Sequence, residues 1–521
     1  MSDDVRVTIE AVPRTGLSAQ RLRQAVADHP DALAALEVAD PARLTVSFAP
    51  GLGHDPGENA PFQATVFDPA GNRAVELRGT LDRPEHAELR PSAWRPPPSR
   101  DELTAAAEIL RADPRFPTGD DVVVYRPMPP LADRENPDGT TVRRPALGLY
   151  TPGEPTGLRH RIVAVDLVNR AVDWTPAGIN VRMHHDCEDS VPTGIDALAD
   201  RGGPDQVRVR VHRGSTELWN LLVVRPRASA PQNPGLGGGV ELRDVRYRGR
   251  LVLRQAHVPI LNVEYEEGTT FRDDVSFETR FNATGSDPVG WGWRLCSSPP
   301  RTILERPSTD AGNFQGVAFH HDGQELRIVS ELAAGWYRYA SDWRLADNGD
   351  IAPRFGFAAT ANPMTCLVHR HHAYWRLDFD VEGAGNDVVE QIDDTGSLIP
   401  EPVPIVRETS RKRRHPAHLR PSYWRVRDKS SGRGYQIHPG DHDGTADAYG
   451  VSDLWFLRHH PRELDDGNPG PRDRAAINRF LNGENINGAN VVVWYAGHYY
   501  HDQAHPQPHQ GELIGPLLVR I

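Results

Sequence analysis

The sequence predicts α+β N-terminal domains followed by a large, mostly antiparallel β-sandwich. Three observations carry this. Apolar residues at helical spacing occur near the start, in LSAQRLRQAVADH and in SRDELTAAAEILRADPRF. From Gly239 onward strand follows strand, with no long helix legible before DRAAINRFL. The 46 prolines and 46 glycines, with charge dispersed along the chain, suit many short strands joined by turns.

The elements follow in order. In residues 1–95, VRVTIEAV and ARLTVSFAPG read as strands around the first helix, and PFQATVFDPAGNRAVELRGTL as a hairpin turning at Asp68-Pro69-Ala70-Gly71. The Pro-rich WRPPPS closes this first small α+β domain. In residues 96–185 a helix opens with Ser99 and Glu102 at capping-box spacing. Its apolar stripe is Leu103, Ala106, Ala107 and Leu110, and strands follow in DDVVVYRPMPPL, RRPALGLY and RHRIVAVDLVNRAVDW. Residues 186–238 read as connecting strands, QVRVRVHRG and LWNLLVVRPR, and a flexible linker, ASAPQNPGLGGG. Residues 239–521 form the β-sandwich domain.

Composition bounds the function. The 521 residues carry 59 Lys+Arg against 71 Asp+Glu, a net −12, which argues against a general nucleic-acid binder. No apolar run approaches the roughly 20 residues that span a bilayer. The start, MSDDVRVTIE, lacks the apolar core of a secretory signal. Cys187, Cys296 and Cys366 are odd in number and show no CxxC spacing, so neither a disulfide framework nor a cysteine zinc site is indicated. A cytoplasmic protein with no membrane partner is the expectation.

One stretch stands apart: CLVHRHHAYWRLDFDVEG, residues 366–383. Alternate residues of a strand face opposite ways, so His369, His371, Ala373, Trp375, Leu377, Phe379 and Val381 share one face. Two imidazoles therefore begin an apolar face. A buried imidazole must be hydrogen-bonded or coordinated. Two of them at i and i+2 can reach one ion, or each can bond to backbone. By residue pattern alone both readings stand.

Other segments join this one. GWYRYASDWRLADNG (335–349), HRHHAYWRLDFDVEG (369–383) and NVVVWYAGHYYH (490–501) together resemble the catalytic domain of copper amine oxidases. That family's pattern is Asn-Tyr-Asp/Glu-Tyr with Asp-Trp, then His-x-His with Arg-x-Asp-x-Asp, then a Val-rich strand with a late His. LWFLRHHPREL (454–464) resembles its Trp-Val-Thr strand, and GVELRDVRYRGRLVLRQAHVPILNVEYEEG the strand pair leading to its Val-Pro-Tyr. In the family the first tyrosine becomes trihydroxyphenylalanine quinone through copper and O2. The resemblance implies Cu(II) on His369, His371 and His501, a cofactor tyrosine at Tyr337, and Tyr265 bonded to a quinone oxygen. Three imidazoles and water suit Cu(II), although zinc accepts the same set.

Four departures matter. Trp336 and Arg338 flank Tyr337 where the family has Asn and Asp or Glu, and a guanidinium beside the ring would stabilise a phenolate or quinone oxyanion. The carboxylate that takes the α-proton is matched best by Glu278 in VSFETRF. Asp310, Asp273 and Asp274 read as loop or turn residues. A peripheral calcium site would use Asp378 and Asp380, with Asn490 standing where the family has a third Asp. Ion pairs to Arg376 or Arg370 are the competing reading of those aspartates. Finally, the loops are short, and His498 and His505, beside His501, read as polar rim residues.

The resemblance implies oxidation of a primary amine by O2 to aldehyde, ammonia and peroxide, the cofactor carrying the difficult chemistry. It also implies a homodimer. One alternative is a copper oxidase of the same fold with an unmodified Tyr337 and a different, tailoring-type substrate. Another is a non-catalytic binding protein that retains the sandwich.

Overall fold

A computed structural model describes residues 5–13, 19–48, 61–92, 95, 98–119, 121–127, 134–135, 141–155, 158–176, 191–195, 202–229, 238–265, 270–272, 277–306, 311–334, 337–359, 368–393, 401–413, 422–461, 463–464, 474–501 and 513–521. Two large sheets make the sandwich. The first runs in spatial order Val5–Ala11, Gln206–Arg213, Thr216–Val224, Gly238–Tyr247, Arg250–Tyr265, His369–Phe379, Val491–His501, Leu454–Arg458, Thr409–Arg411. The second holds Glu325–Ala334, Tyr337–Ala346 and Ile351–Ala359 near its middle.

One core lies between them. Leu253, Leu377 and Val493 of the first sheet share it with Leu345, Trp343 and Phe355 of the second. Polar bonds also stitch the layers: the Val240 amide donates to Ser341 Oγ at 3.0 Å, and Trp343 Nε1 donates to the Val240 carbonyl at 3.1 Å. Three central strands, Arg250–Tyr265, His369–Phe379 and Val491–His501, are covered on both faces, which suits runs as apolar as VVVWYAGHYYH.

A hairpin turn and a helix cap of the small units follow the sequence. Asp68 accepts the amides of Ala70 at 3.2 Å and Gly71 at 3.0 Å, closing the hairpin between Pro61–Asp68 and Arg73–Thr80. Helix Arg100–Arg111 starts with the reciprocal cap: the Glu102 amide donates to Ser99 Oγ at 3.2 Å and the Ser99 amide to Glu102 Oε2 at 2.9 Å. Each unit has its own apolar cluster.

Three points differ from the sequence reading. Val5–Ala11 leaves the first small unit and pairs antiparallel with Gln206–Arg213. Gln206–Arg213 and Thr216–Val224 are integral strands of the large sheet rather than connectors, because Val207, Val209, Val211, Leu221 and Val223 feed the main core. The described part of DRAAINRFL forms only a short 3-10 turn, Ile477–Phe480, with no side-chain cap at its start. Its residues serve the sheet instead, since Ile477 is buried and Asn478 Oδ1 accepts Trp455 Nε1 at 2.7 Å. No helix among the described residues is long and apolar enough to cross a membrane.

Candidate metal centre

Strand register assembles the centre. His369 lies between Tyr265 and His501 across the three central strands, and His371 between Val263 and Tyr499. Parity turns His369, His371 and His501 to one face, where one nitrogen from each lies within 4.8 Å of the others. The second sheet supplies Tyr337, at the first residue of its strand. Its hydroxyl oxygen is 2.9 Å from His369 Nε2, and that nitrogen is also 2.9 Å from His371 Nε2. All four side chains are buried.

Aromatic rings fix the imidazoles in place. Phe357 stacks on His371 with centroids 4.4 Å apart and planes 14° from parallel. Tyr265 stacks on His369 at 5.0 Å and 28°, while Tyr337 meets both histidines edge-on. Burial first, then the neighbouring His369 and His501, hold His371 well below the usual histidine range.

This donor set fits a metal ion. A neutral imidazole nitrogen has either one lone pair or one proton to offer, yet His369 Nε2 faces both a phenol and a second imidazole. His371 bonds no backbone group: its Nδ1 has no hydrogen-bond partner among the described residues and its Nε2 faces His369. Three imidazole nitrogens around one buried point, with water completing the shell, suit a tetragonal Cu(II) site, and zinc would accept them too.

The other sequence candidates are placed as follows. Trp336, Asp273, Asp274, Asp310 and His505 lie outside the described residues. Arg338 is buried on the strand face opposite Tyr337, and its Nη1 donates to the Tyr337 carbonyl at 2.6 Å. Alternation therefore turns the guanidinium away from the phenol it was expected to adjoin. Glu278 is buried and is held by Arg225, whose Nε donates to Oε1 at 3.0 Å and whose Nη2 bonds Oε2. A base for proton abstraction needs a free carboxylate, and this one is ion-paired. His498 is no rim residue: it sits directly across from His372 and is buried.

Asp378, near the end of strand His369–Phe379, and Asp380, just past it, belong to a second buried group. Asp378, Asp380 and Asn490 each keep one side-chain oxygen without a hydrogen-bond partner among the described residues. Arg254 Nε bonds the other oxygen of Asp380 at 3.0 Å, and Asp378 Oδ2 is 3.6 Å from Arg376 and 3.2 Å from His459. Arg370 pairs with Asp447 instead. Asp387, which sequence reasoning missed, joins them; burial, then Asp380, push its carboxyl up to about 9. Unsatisfied acidic oxygens of this kind suit a hard cation. Asp387 follows an Asn386 with φ 72°, an irregular turn after the strand that carries no visible signal of its destination.

Neither a protein-family model nor a curated protein sequence matches the chain. Solved structures do. A copper-containing benzylamine oxidase from Hansenula polymorpha superposes with a TM-score of 0.62 at 13% identity, covering 98% of this chain and 97% of that one. The amine oxidase of Aspergillus nidulans aligns over 96% of this chain and 87% of its own, at 11% identity and a TM-score of 0.49. At such identities likeness speaks for architecture alone. The chain has the copper amine oxidase fold, α+β units ahead of a large antiparallel β-sandwich.

Proposed function

We propose that this chain is a copper-dependent oxidase that converts a primary amine, O2 and water into an aldehyde, ammonia and hydrogen peroxide. The observation that carries the reading is the Tyr337 hydroxyl 2.9 Å from His369 Nε2, inside the triad His369, His371 and His501. Those three imidazoles would hold the copper. Copper bound there would supply one-electron chemistry with O2, and a quinone derived from Tyr337 the electrophile for an amine. The protein's own part is positional. Phe357 and Tyr265 stack against His371 and His369 and hold each ring at one angle. Burial excludes water and keeps His371 unprotonated, the form that ligates. The Tyr337 hydroxyl lies at hydrogen-bond distance from His369 Nε2, which sets the ring beside the nitrogen that would hold the copper. Calcium on Asp378, Asp380, Asp387 and Asn490, and the homodimer, belong to the same proposal.

A second reading keeps the copper and leaves Tyr337 unmodified. The ion pair between Glu278 and Arg225 favours it, because amine oxidation needs a free carboxylate. One experiment separates the two. The full chain is reconstituted aerobically with copper, treated with phenylhydrazine and digested, and the peptide carrying Tyr337 is weighed. A heavier, hydrazine-reactive peptide supports amine oxidation. Bound copper with an unmodified peptide supports the second reading. A chain that takes no copper refutes both.

A further inference from the structure

The opposite face of the His369–Phe379 strand carries a different group of ligating side chains. His372 lies there between Asn262 and His498 in register, and Glu264 lies across from Arg370. Asp447 reaches the same place from the segment ahead of strand Leu454–Arg458. One ligand atom from each of Glu264, His372 and Asp447 lies within 4.8 Å of the other two. Strand parity separates this group from Tyr265, His369, His371 and His501, which face the other way.

A chain of contacts sets the tautomer of His372. The Asp453 carboxylate is 3.1 Å from His498 Nε2. The contact is off-line for an ideal hydrogen bond, but in a buried setting the negative charge still selects a proton on that nitrogen. His498 Nδ1 is then the acceptor in its 2.7 Å contact with His372 Nδ1. His372 Nδ1 donates, so its Nε2 keeps a bare lone pair. That nitrogen is fully buried and has no hydrogen-bond partner among the described residues. With Nδ1 committed to His498, Nε2 is the nitrogen left for a metal. A second ring nitrogen anchored in this way is how ligating histidines are usually oriented.

The carboxylates point the same way. Burial, then the neighbouring Asp447, push the Glu264 carboxyl above its ordinary range. Two acidic groups this close share a proton or a cation. Asp447 is held in position by Arg370 on one oxygen and by the Gly450 amide, 2.6 Å from the other. The group thus sets two carboxylates and one imidazole against a single guanidinium.

We propose that Glu264, His372 and Asp447 form a second, separate divalent-metal site. One imidazole and two carboxylates suit a borderline ion such as Zn(II), with water completing the shell. Bound there, the ion ties the segment carrying Asp447 onto the central strands. This site stands whether or not the first centre is an amine oxidase.

The test uses the full chain stripped of metal with a chelator and titrated with ZnCl2 against a chromophoric competitor. E264Q is expected to bind one equivalent fewer than the unaltered chain. Equal numbers of equivalents in the two would overturn the proposal. Crystals of the unaltered chain soaked in ZnCl2 give an answer that does not depend on the variant folding. An anomalous peak among Glu264, His372 and Asp447 is expected, and its absence from that position overturns the site.

Discussion

The hydroxyl of Tyr337 sits 2.9 Å from His369 Nε2, across the gap between two sheets that share one apolar core. The phenol is thus a neighbour of the triad, placed by the second sheet, while the three histidines come from the first. Tyr337→Phe should therefore retain copper within a few-fold of the unaltered affinity and lose all reactivity toward phenylhydrazine. Competition titration and peptide mass read the two effects. A collapse of copper affinity would make the phenol oxygen a ligand.

His371→Ala removes a ligand rather than its support. Copper affinity should fall by more than about 100-fold, beyond the roughly 10–100-fold that loss of an outer-shell partner costs. Phe357, stacked at 4.4 Å, loses its ring partner, so a small drop in melting temperature should accompany the change.

Glu278 separates chemistry from architecture. Its carboxylate and Arg225 are both buried, and breaking such a pair from one side costs about 3–5 kcal/mol. Glu278→Gln should lower unfolding free energy by that order, and adding Arg225→Met should restore part of it. Denaturant titration measures both. Unchanged stability with a selective loss of kcat would instead make Glu278 the base.

Glu390, paired with Arg425 and Arg427, gives a pH signature of its own. Burial works to raise its carboxyl, but Arg427 and Arg425 outweigh burial and hold it at about 2. A depressed carboxyl contributes stability that is complete above its ordinary value of 4.5 and is lost as pH falls toward 2. Thermal melts of the unaltered chain and Glu390→Gln should differ by about 1–2 kcal/mol at pH 6 and converge by pH 2. A gap that stays constant down to pH 2 would contradict the assignment.

Millimolar calcium should raise the melting temperature of the unaltered chain, and Asp380→Asn should abolish that rise. The unpartnered oxygens of Asp378, Asp380 and Asn490 beside Asp387 are the reason. An equal rise in both proteins would place the calcium elsewhere.

Much of the centre is legible in the residues. His369 and His371 share a face because strands alternate, and His501 ends a run too apolar to be exposed. These are local patterns. What escapes the sequence is pairing at long range. His372 meets His498 across 126 positions, Arg225 finds Glu278 across 53, and Val5–Ala11 joins a strand that begins at Gln206. Register between distant strands is decided by the core as a whole, so period-two patterns fix which face a residue takes but not its partner. For the same reason Arg338 reads as a neighbour of the phenol along the chain, although the pleat turns its side chain to the other face.

The most direct test of the central claim is electron paramagnetic resonance of the chain reconstituted with one equivalent of Cu(II). The account predicts a tetragonal signal with nitrogen hyperfine structure from imidazoles, lost in His371→Ala and kept in Glu264→Gln. A copper signal indifferent to His369→Ala, His371→Ala and His501→Ala would contradict it.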